Sequence, residues 1–179
     1  MKFLSLDLEM NQPSGKVIQV GACVFRKKDG VILDKFMVYV NPGEKLDEQI
    51  IELTGITQNQ VETEGYSCKE AYFKLKQFAE KHKCFKNPLV WGSGAWNDSS
   101  HLHKEADPGE PNFMGHRVWD VKTLYQMYRA ENWLKVKGGL ATAIEELGLS
   151  FEGRNHDALA DAINTVRVYR FLAKRLKNP

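Results

Sequence analysis

Asp7 and Glu9, in "KFLSLDLEMNQ", are carboxylates two residues apart in an otherwise mostly apolar run. Read with the period of two that a strand imposes, Leu4, Leu6, Leu8 and Met10 line one face, and Phe3, Ser5, Asp7 and Glu9 the other. On one face the two acids have Cα atoms only about 6.8 Å apart. Like charges so placed repel, and a strand this apolar is expected at the centre of a sheet. Such a pair can serve a buried Arg, can sit exposed at a strand end, or can share metal.

Three further residues bear on that choice. Asp98, in "VWGSGAWNDSSHL", follows a short apolar strand at the entry to a helix. Sites in open α/β sheets gather at such carboxyl ends. Taken alone, Asp98 reads as a helix N-cap, with Ser99 or Ser100 as alternatives. Asp161, in "GRNHDALADAINTV", is expected inside the final helix, well past its first turn, where the helix dipole lends an acid little support. Ala158, Ala162 and Thr165 are small enough to let that helix approach a neighbour. Val168 and Leu172 share the face of Asp161 and turn it partly inward, while Leu159, Ile163, Val166 and Arg170 form a second stripe. Asp157 belongs to the first turn, which welcomes an acid. His156 stands just before the helix; alone it reads as a surface residue, and beside Asp161 it becomes a candidate base.

Four acids from three separated segments make chemical sense around hard divalent cations, Mg²⁺ or Mn²⁺, which take oxygen ligands and leave room for a phosphate. Two ions roughly 3.5–4 Å apart stabilise the attacking and leaving oxygens of an in-line phosphoryl displacement. Asp7 is suited to bridge them, with Glu9 and Asp161 completing one site and Asp98 holding the other. An imidazole, which ordinarily titrates near pH 6.5, is suited to take the proton from a nucleophilic water.

The elements that must position these residues follow from the pattern. After the first strand, "NQPSGK" carries turn chemistry, Val17–Phe25 reads as a second strand, and Asp29-Gly30 as a hairpin turn into a third, Val31–Val40. "EKLDEQIIELTGIT" predicts a short helix stopped at Gly55. Ser67–Lys83 predicts a helix with a capping box from Ser67 to Glu70. "PLVWG" is a short buried strand and "HRVWDV" another, with helices near Asp98–Glu105, Lys122–Asn132, Gly139–Leu147 and from about Asp157 to Leu176. Three antiparallel strands followed by helix–strand alternation predict an α/β domain with a mixed sheet.

Composition narrows the class. The 179 residues suit one domain, 1–179, with a full core, and 25 basic against 23 acidic residues give a net charge of +2, too small to imply nucleic acid without a local patch. Cys23, Cys68 and Cys84 form no metal-binding spacing and suit a reducing compartment. No apolar run approaches the roughly 18 residues of a membrane span. The chain therefore reads as soluble and cytoplasmic, with no membrane partner.

With these residues assembled, the chain resembles the DEDDh family of 3′→5′ exonucleases. "LDLEM" matches the first motif with Asp7 and Glu9, "GAWNDSSHL" the second with Asp98, and "HDALADA" the third, with His156 five residues before Asp161. "LTGIT" and "WDVKTL" also look like family segments, and the resemblance runs from about residue 2 to 172. Asn97 stands where family members often carry an aromatic, and "MNQ" follows Glu9 where oligoribonuclease shows Thr-Gly. The resemblance implies an RNase H-like mixed five-stranded sheet flanked by helices. It also implies a two-metal mechanism with Asp7, Glu9, Asp98 and Asp161 as metal ligands and His156 as base. The implied substrate is single-stranded RNA or DNA with a free 3′ end, from which nucleoside 5′-monophosphates are released. Met10 and Asn11 correspond to residues bordering the terminal nucleotide, and some relatives are homodimers.

Other residues have simpler readings. "HLH" (His101, His103) reads as solvent-facing helix histidines, because no Cys or acid at short spacing supports zinc. Trp91 and Trp119 read as core, Trp96 as a base-stacking candidate, and Cys23 as a small core residue. The basic stretches "KLKQFAEKHKCFK" and "RVYRFLAKRLKNP" suit either phosphates or solvated helix faces. The reading set against an exonuclease is a non-catalytic nucleic-acid-binding or partner-recruiting module on the same fold, for which a general base has no use. An RNase H-like endonuclease is a further reading, disfavoured by the His156 spacing.

Overall fold

Three consecutive antiparallel strands begin the fold: β1 (Lys2–Met10), β2 (Val17–Arg26) and β3 (Ile32–Tyr39). The computed structural model describes residues 1–92, 97–132 and 138–175. Asn11 and Gly15 close the first turn, where the Gly15 amide donates to the Asn11 carbonyl at 2.9 Å. The second turn is the Asp29-Gly30 hairpin, with Gly30 at φ 78°. Two short strands, β4 (Leu89–Val90) and β5 (Trp119–Asp120), then add in parallel. The order is β3-β2-β1-β4-β5, so β1 is central and the sheet is mixed, as the element pattern predicts.

Alternation along β1 partitions the core. Leu4, Leu6 and Leu8 are buried with Val20 and Val24 of β2 beneath α3 (Cys68–His82) and α4 (Asp98–Ala106). Each such leucine contributes about 1.5–3 kcal/mol by leaving water. The opposite face is covered by α7 (Ala158–Arg175), which lies across β1 and β2, with α5 (Val121–Glu131) and α6 (Leu140–Glu146) packed against it. Cys23, Phe25, Tyr125, Ile144, Ile163 and Val166 fill that layer. The Ser5 hydroxyl donates to the Ala162 carbonyl at 2.9 Å, fixing how closely α7 lies on β1.

Local signals set most helix boundaries. Ser67 and Glu70 form the expected capping box, and Gly55 ends α1 (Glu48–Thr54) at φ 71°. The short helix expected to stop at Gly55 does so, and a further helix that the pattern does not predict follows: Thr57 and Gln60 make a second capping box that starts α2 (Gln58–Thr63). Trp119 is a correction: it is 51% exposed, because β5 is a two-residue strand at the sheet edge. Trp91 does pack against the inner layer, beside Tyr125. His101 and His103 are also corrected, being half-buried and bonded, His101 Nε2 to the Gly15 carbonyl at 2.7 Å and His103 Nδ1 to the Tyr72 hydroxyl at 3.1 Å. No described helix is long and apolar enough to cross a membrane.

Candidate active site

At the carboxyl end of β1 the inward face changes from packing to charge. Asp7 is paired across the sheet with Gly21 of β2, and Glu9 with Gln19. A register shift between Glu9 and Met10 marks a bulge that ends the regular ladder there. Gly21 is where α7 comes down. A Cβ at this position would lie 2.1 Å from both the Ala158 carbonyl carbon and the Leu159 nitrogen, so only glycine permits the approach. The first turn of α7 is thereby pressed against the sheet beside the two acids.

That turn starts one residue later than its sequence suggests. Asp157 is outside the helix and caps it, its Oδ1 accepting from the Ala160 amide at 2.9 Å. Asp161 consequently lies in the first turn of α7, where the helix dipole does favour its charge, contrary to the expected deeper placement. It is inward as expected, 8% exposed, and its Oδ1 is buried without a hydrogen-bond partner. His156 precedes the cap in the left-handed region, at φ 61°. Ligand atoms of Glu9, His156 and Asp161 all lie within 4.8 Å of one another.

Asp98 reaches the same place from α4. The N-cap role that Asp98 has when read alone is taken by Asn97, whose side chain accepts from the Ser100 amide at 3.1 Å, so the Asp98 carboxylate is released from capping. The electrostatics join the four acids. Burial, then Asp98, Asp161, Glu9 and Asp157 in turn, hold the Asp7 carboxyl well above its ordinary range. Burial with the charges of Asp161, Asp157 and Asp98 pushes Glu9 up to about 8. Burial pushes Asp98 up to about 7. Asp161 also rises to about 7 through burial, partly offset by the His156 backbone amide and reinforced by Asp157. Among the described residues no Lys or Arg forms an ion pair with any of the four. Mutually repelling oxygens, one of them buried and unpartnered, fit a hard divalent cation.

The remaining expected contacts fall differently. Met10 is half-buried against the outer core layer. Asn11 is 2% exposed and has a structural job that departs from nucleotide contact. Its Nδ2 donates to Glu44 Oε1 at 2.8 Å and to the Lys45 carbonyl at 3.1 Å, and its Oδ1 accepts from the Asp47 amide at 2.8 Å. Trp96 lies outside the described residues. Two residues that sequence reasoning passed over matter here: Gly21, signalled only as a glycine inside a strand, and Gln19, signalled only as an amide among β-branched neighbours. Arg154 is a third, donating to the Glu52 and Leu53 carbonyls and so tying the loop before His156 to the end of α1.

Comparison with known proteins bears on the family and the fold. The exonuclease family model RNase_T matches residues 4–169. Human ERI1 exoribonuclease 2 is 27% identical over 85% of this chain and 24% of its own length. The PolC-type DNA polymerase III of Clostridium perfringens is 29% identical over 98% of this chain and 11% of its own length. The chain thus spans a quarter or less of these two relatives. Among solved structures, the nuclease domain of 3′hExo, described as a DEDDh family member bound to rAMP, aligns with a TM-score of 0.77 at 20% identity, covering 97% of this chain and 92% of that one. Cell-death related nuclease 4 aligns at 0.82 and 18% identity, over 97% and 64%. The fold is the RNase H-like one of these nucleases, and the chain belongs to the RNase_T exonuclease family, the DEDDh 3′→5′ exonucleases.

Proposed function

We propose that this chain is a metal-dependent 3′→5′ exonuclease, one catalytic domain over 1–179, that trims single-stranded RNA or DNA from a free 3′ end and releases nucleoside 5′-monophosphates. The observation that carries the reading is the convergence of Glu9, His156 and Asp161 around a buried, unpartnered carboxylate oxygen. Asp7, Glu9, Asp98 and Asp161 would hold the divalent metal, Mg²⁺ or Mn²⁺. The chemistry such ions supply when bound is stabilisation of charge on the attacking and leaving oxygens.

His156 accepts the proton of the attacking water. The water oxygen bonds to phosphorus, the bond from phosphorus to the 3′ oxygen breaks, and that oxygen takes a proton from solvent to become the new 3′ hydroxyl while the phosphate stays on the released nucleotide. Held just outside the α7 ladder, the imidazole is aimed by its backbone rather than by helix packing. Met10, at the bulge after Glu9, borders the terminal nucleotide, and Trp96 is the residue for base stacking. Asn11 supports that edge by holding the 44–47 segment. Both nucleic acids remain in the substrate class because relatives of this fold are described with rAMP, a histone mRNA stem-loop and a dT13 oligonucleotide.

The test uses 5′-labelled single-stranded RNA and DNA of equal sequence with Mg²⁺, Mn²⁺ or EDTA. The expected result is a metal-dependent ladder shortening from the 3′ end, faster for one of the two. Intact oligomers in every condition, from folded protein, overturn the reading in favour of a binding module.

A further inference from the structure

Gln19, the third residue of β2, is a buried polar side chain, 1% exposed and directly opposite Glu9. Both ends of its amide reach the start of α7. Its Oε1 accepts from the Ala158 amide at 2.8 Å, and its Nε2 donates to Asp157 Oδ2 at 3.3 Å. The other Asp157 oxygen caps the helix at the Ala160 amide. A continuous chain of hydrogen bonds therefore runs from the strand beside Glu9, through the residue that follows His156, into the turn that carries Asp161.

This clasp has something to restrain. His156 adopts a backbone conformation that side-chain-bearing residues rarely take, so the loop needs attachment on both sides to keep it. Upstream, Arg154 is bonded to the end of α1. Downstream, the bonds to Asp157 and Ala158 come from Gln19, and Gly21 two residues on leaves the space that lets α7 reach it. The chemistry also selects an amide. The position must accept from a backbone N–H and donate to a carboxylate at once, which Gln does and neither a carboxylate nor an aliphatic side chain can do.

We propose that Gln19 is a positioning residue of the active site, setting His156 and Asp161 against Glu9 through its two-ended bond to Asp157 and Ala158. The inference rests on the exonuclease reading for its effect on turnover, but not for its effect on geometry. Ionised, Gln19→Glu keeps the Ala158 bond and loses the donor to Asp157; because burial beside Glu9 and Asp157 favours the protonated form, all readouts are taken at about pH 8.5. The double variant Gln19→Glu with Asp157→Asn reverses that hydrogen bond's polarity, restores it and returns the net charge to that of the wild type.

Two readouts are taken on folded wild type, Gln19→Glu and the double variant: kcat and KM on a single-stranded oligomer, and the gain in Tm on adding Mn²⁺. Positioning predicts that Gln19→Glu loses up to about 10²-fold in kcat with little change in KM. It also predicts a smaller Mn²⁺-induced Tm gain than wild type, with both recovered in the double variant. Added charge beside Glu9 would by itself enlarge the Mn²⁺ gain, so the sign of that change separates geometry from electrostatics. An unchanged kcat in a trimming wild type, a larger Mn²⁺ gain in Gln19→Glu, or no recovery in the folded double variant overturns the proposal. Wild type that binds Mn²⁺ with the predicted pattern but trims nothing overturns the exonuclease reading and leaves Gln19 in place. Should Gln19→Glu fail to fold, the double variant decides: wild-type-like values support the clasp, and a folded double variant with low kcat and a reduced Mn²⁺ gain overturns it.

Discussion

The two faces of β1 are built from alternate residues of one nine-residue strand, yet they are held by opposite physics. On the outer face Leu4, Leu6 and Leu8 are buried among apolar side chains and every contact lowers the free energy. On the inner face Ser5 bonds to α7, while Asp7 and Glu9 are packed beside Asp98 and Asp161, where burial and then the neighbouring acids make both harder to ionise. One face is stable as it stands; the other is a tension that the first holds in place. Destabilised carboxylates gathered by a stable sheet are what a cation site requires, since binding then relieves repulsion as well as forming bonds.

The largest expected effect comes from removing a charge on the inner face. Asp7→Asn should drive turnover to background, a loss beyond the roughly 10⁴-fold upper range for a general base. It should also raise the Tm of the metal-free protein; gel ladders and thermal melts in EDTA check the two halves. The same tension makes the metal-free wild type sensitive to pH. Glu9, Asp98 and Asp161 keep their protons up to about 8, 7 and 7 when folded, so their contribution is fully present below the ordinary carboxyl range and is lost as pH rises through those values. In EDTA the Tm should therefore fall between about pH 5 and pH 9, while saturating Mn²⁺, which favours the ionised acids, should flatten or reverse the fall. A Tm in EDTA that rises over that window would count against the buried cluster.

His156→Asn comes next. Asparagine tolerates the left-handed backbone, so the substitution removes the imidazole without straining the loop. Turnover should fall about 10²–10⁴-fold with Tm little changed, and the limb of the pH–rate profile that reports the base should vanish. Leu6→Ala is the mirror experiment on the other face. It should cost about 2–5 kcal/mol of stability by denaturant melt, while kcat per folded molecule stays near wild type. If it instead abolished turnover in the folded fraction, the faces would not be separable.

How much of this was legible differs between the faces for the same reason. The period of two is local, so the apolar face of β1, the shared face of Asp7 and Glu9, the hairpin at Gly30 and the capping box at Ser67 can all be read from neighbouring residues. Asp161 was recognisable as an inward acid from its alanines, but its place in the first turn depends on Asp157 folding back as a cap, which shifts the helix start by one residue. Gln19 and Gly21 were opaque, because their meaning depends on Asp157 to Leu159, well over a hundred residues away, arriving on top of them. Trp119 departs from its core reading because an apolar strand pattern does not reveal that the strand is two residues long and at an edge. His101 and His103 depart from their solvent-facing reading because their partners, Gly15 and Tyr72, are distant in sequence.

The smallest effect gives the finest separation of scaffold from site, and it compares two helix caps. Ser67 caps α3, which supports the outer face, and Asn97 caps α4, whose first residue is Asp98. The two side chains do the same work, each accepting from the amide three residues on. Replacing either by Ala removes that capping bond, and at Ser67 also the hydroxyl's bond to Glu70, and should cost about 1 kcal/mol of stability. In Ser67→Ala nothing near the acids changes, so turnover should follow the folded fraction. In Asn97→Ala the cap is vacant and the adjacent Asp98 carboxylate is the nearest group able to turn back onto the freed amides, which would draw it away from Asp7. The same stability loss should then come with a drop in kcat and a weaker response to Mn²⁺, read by steady-state kinetics across a metal titration. Equal kcat in the two variants would mean that Asp98 is held by the burial around it, and that capping by Asn97 contributes to α4 alone.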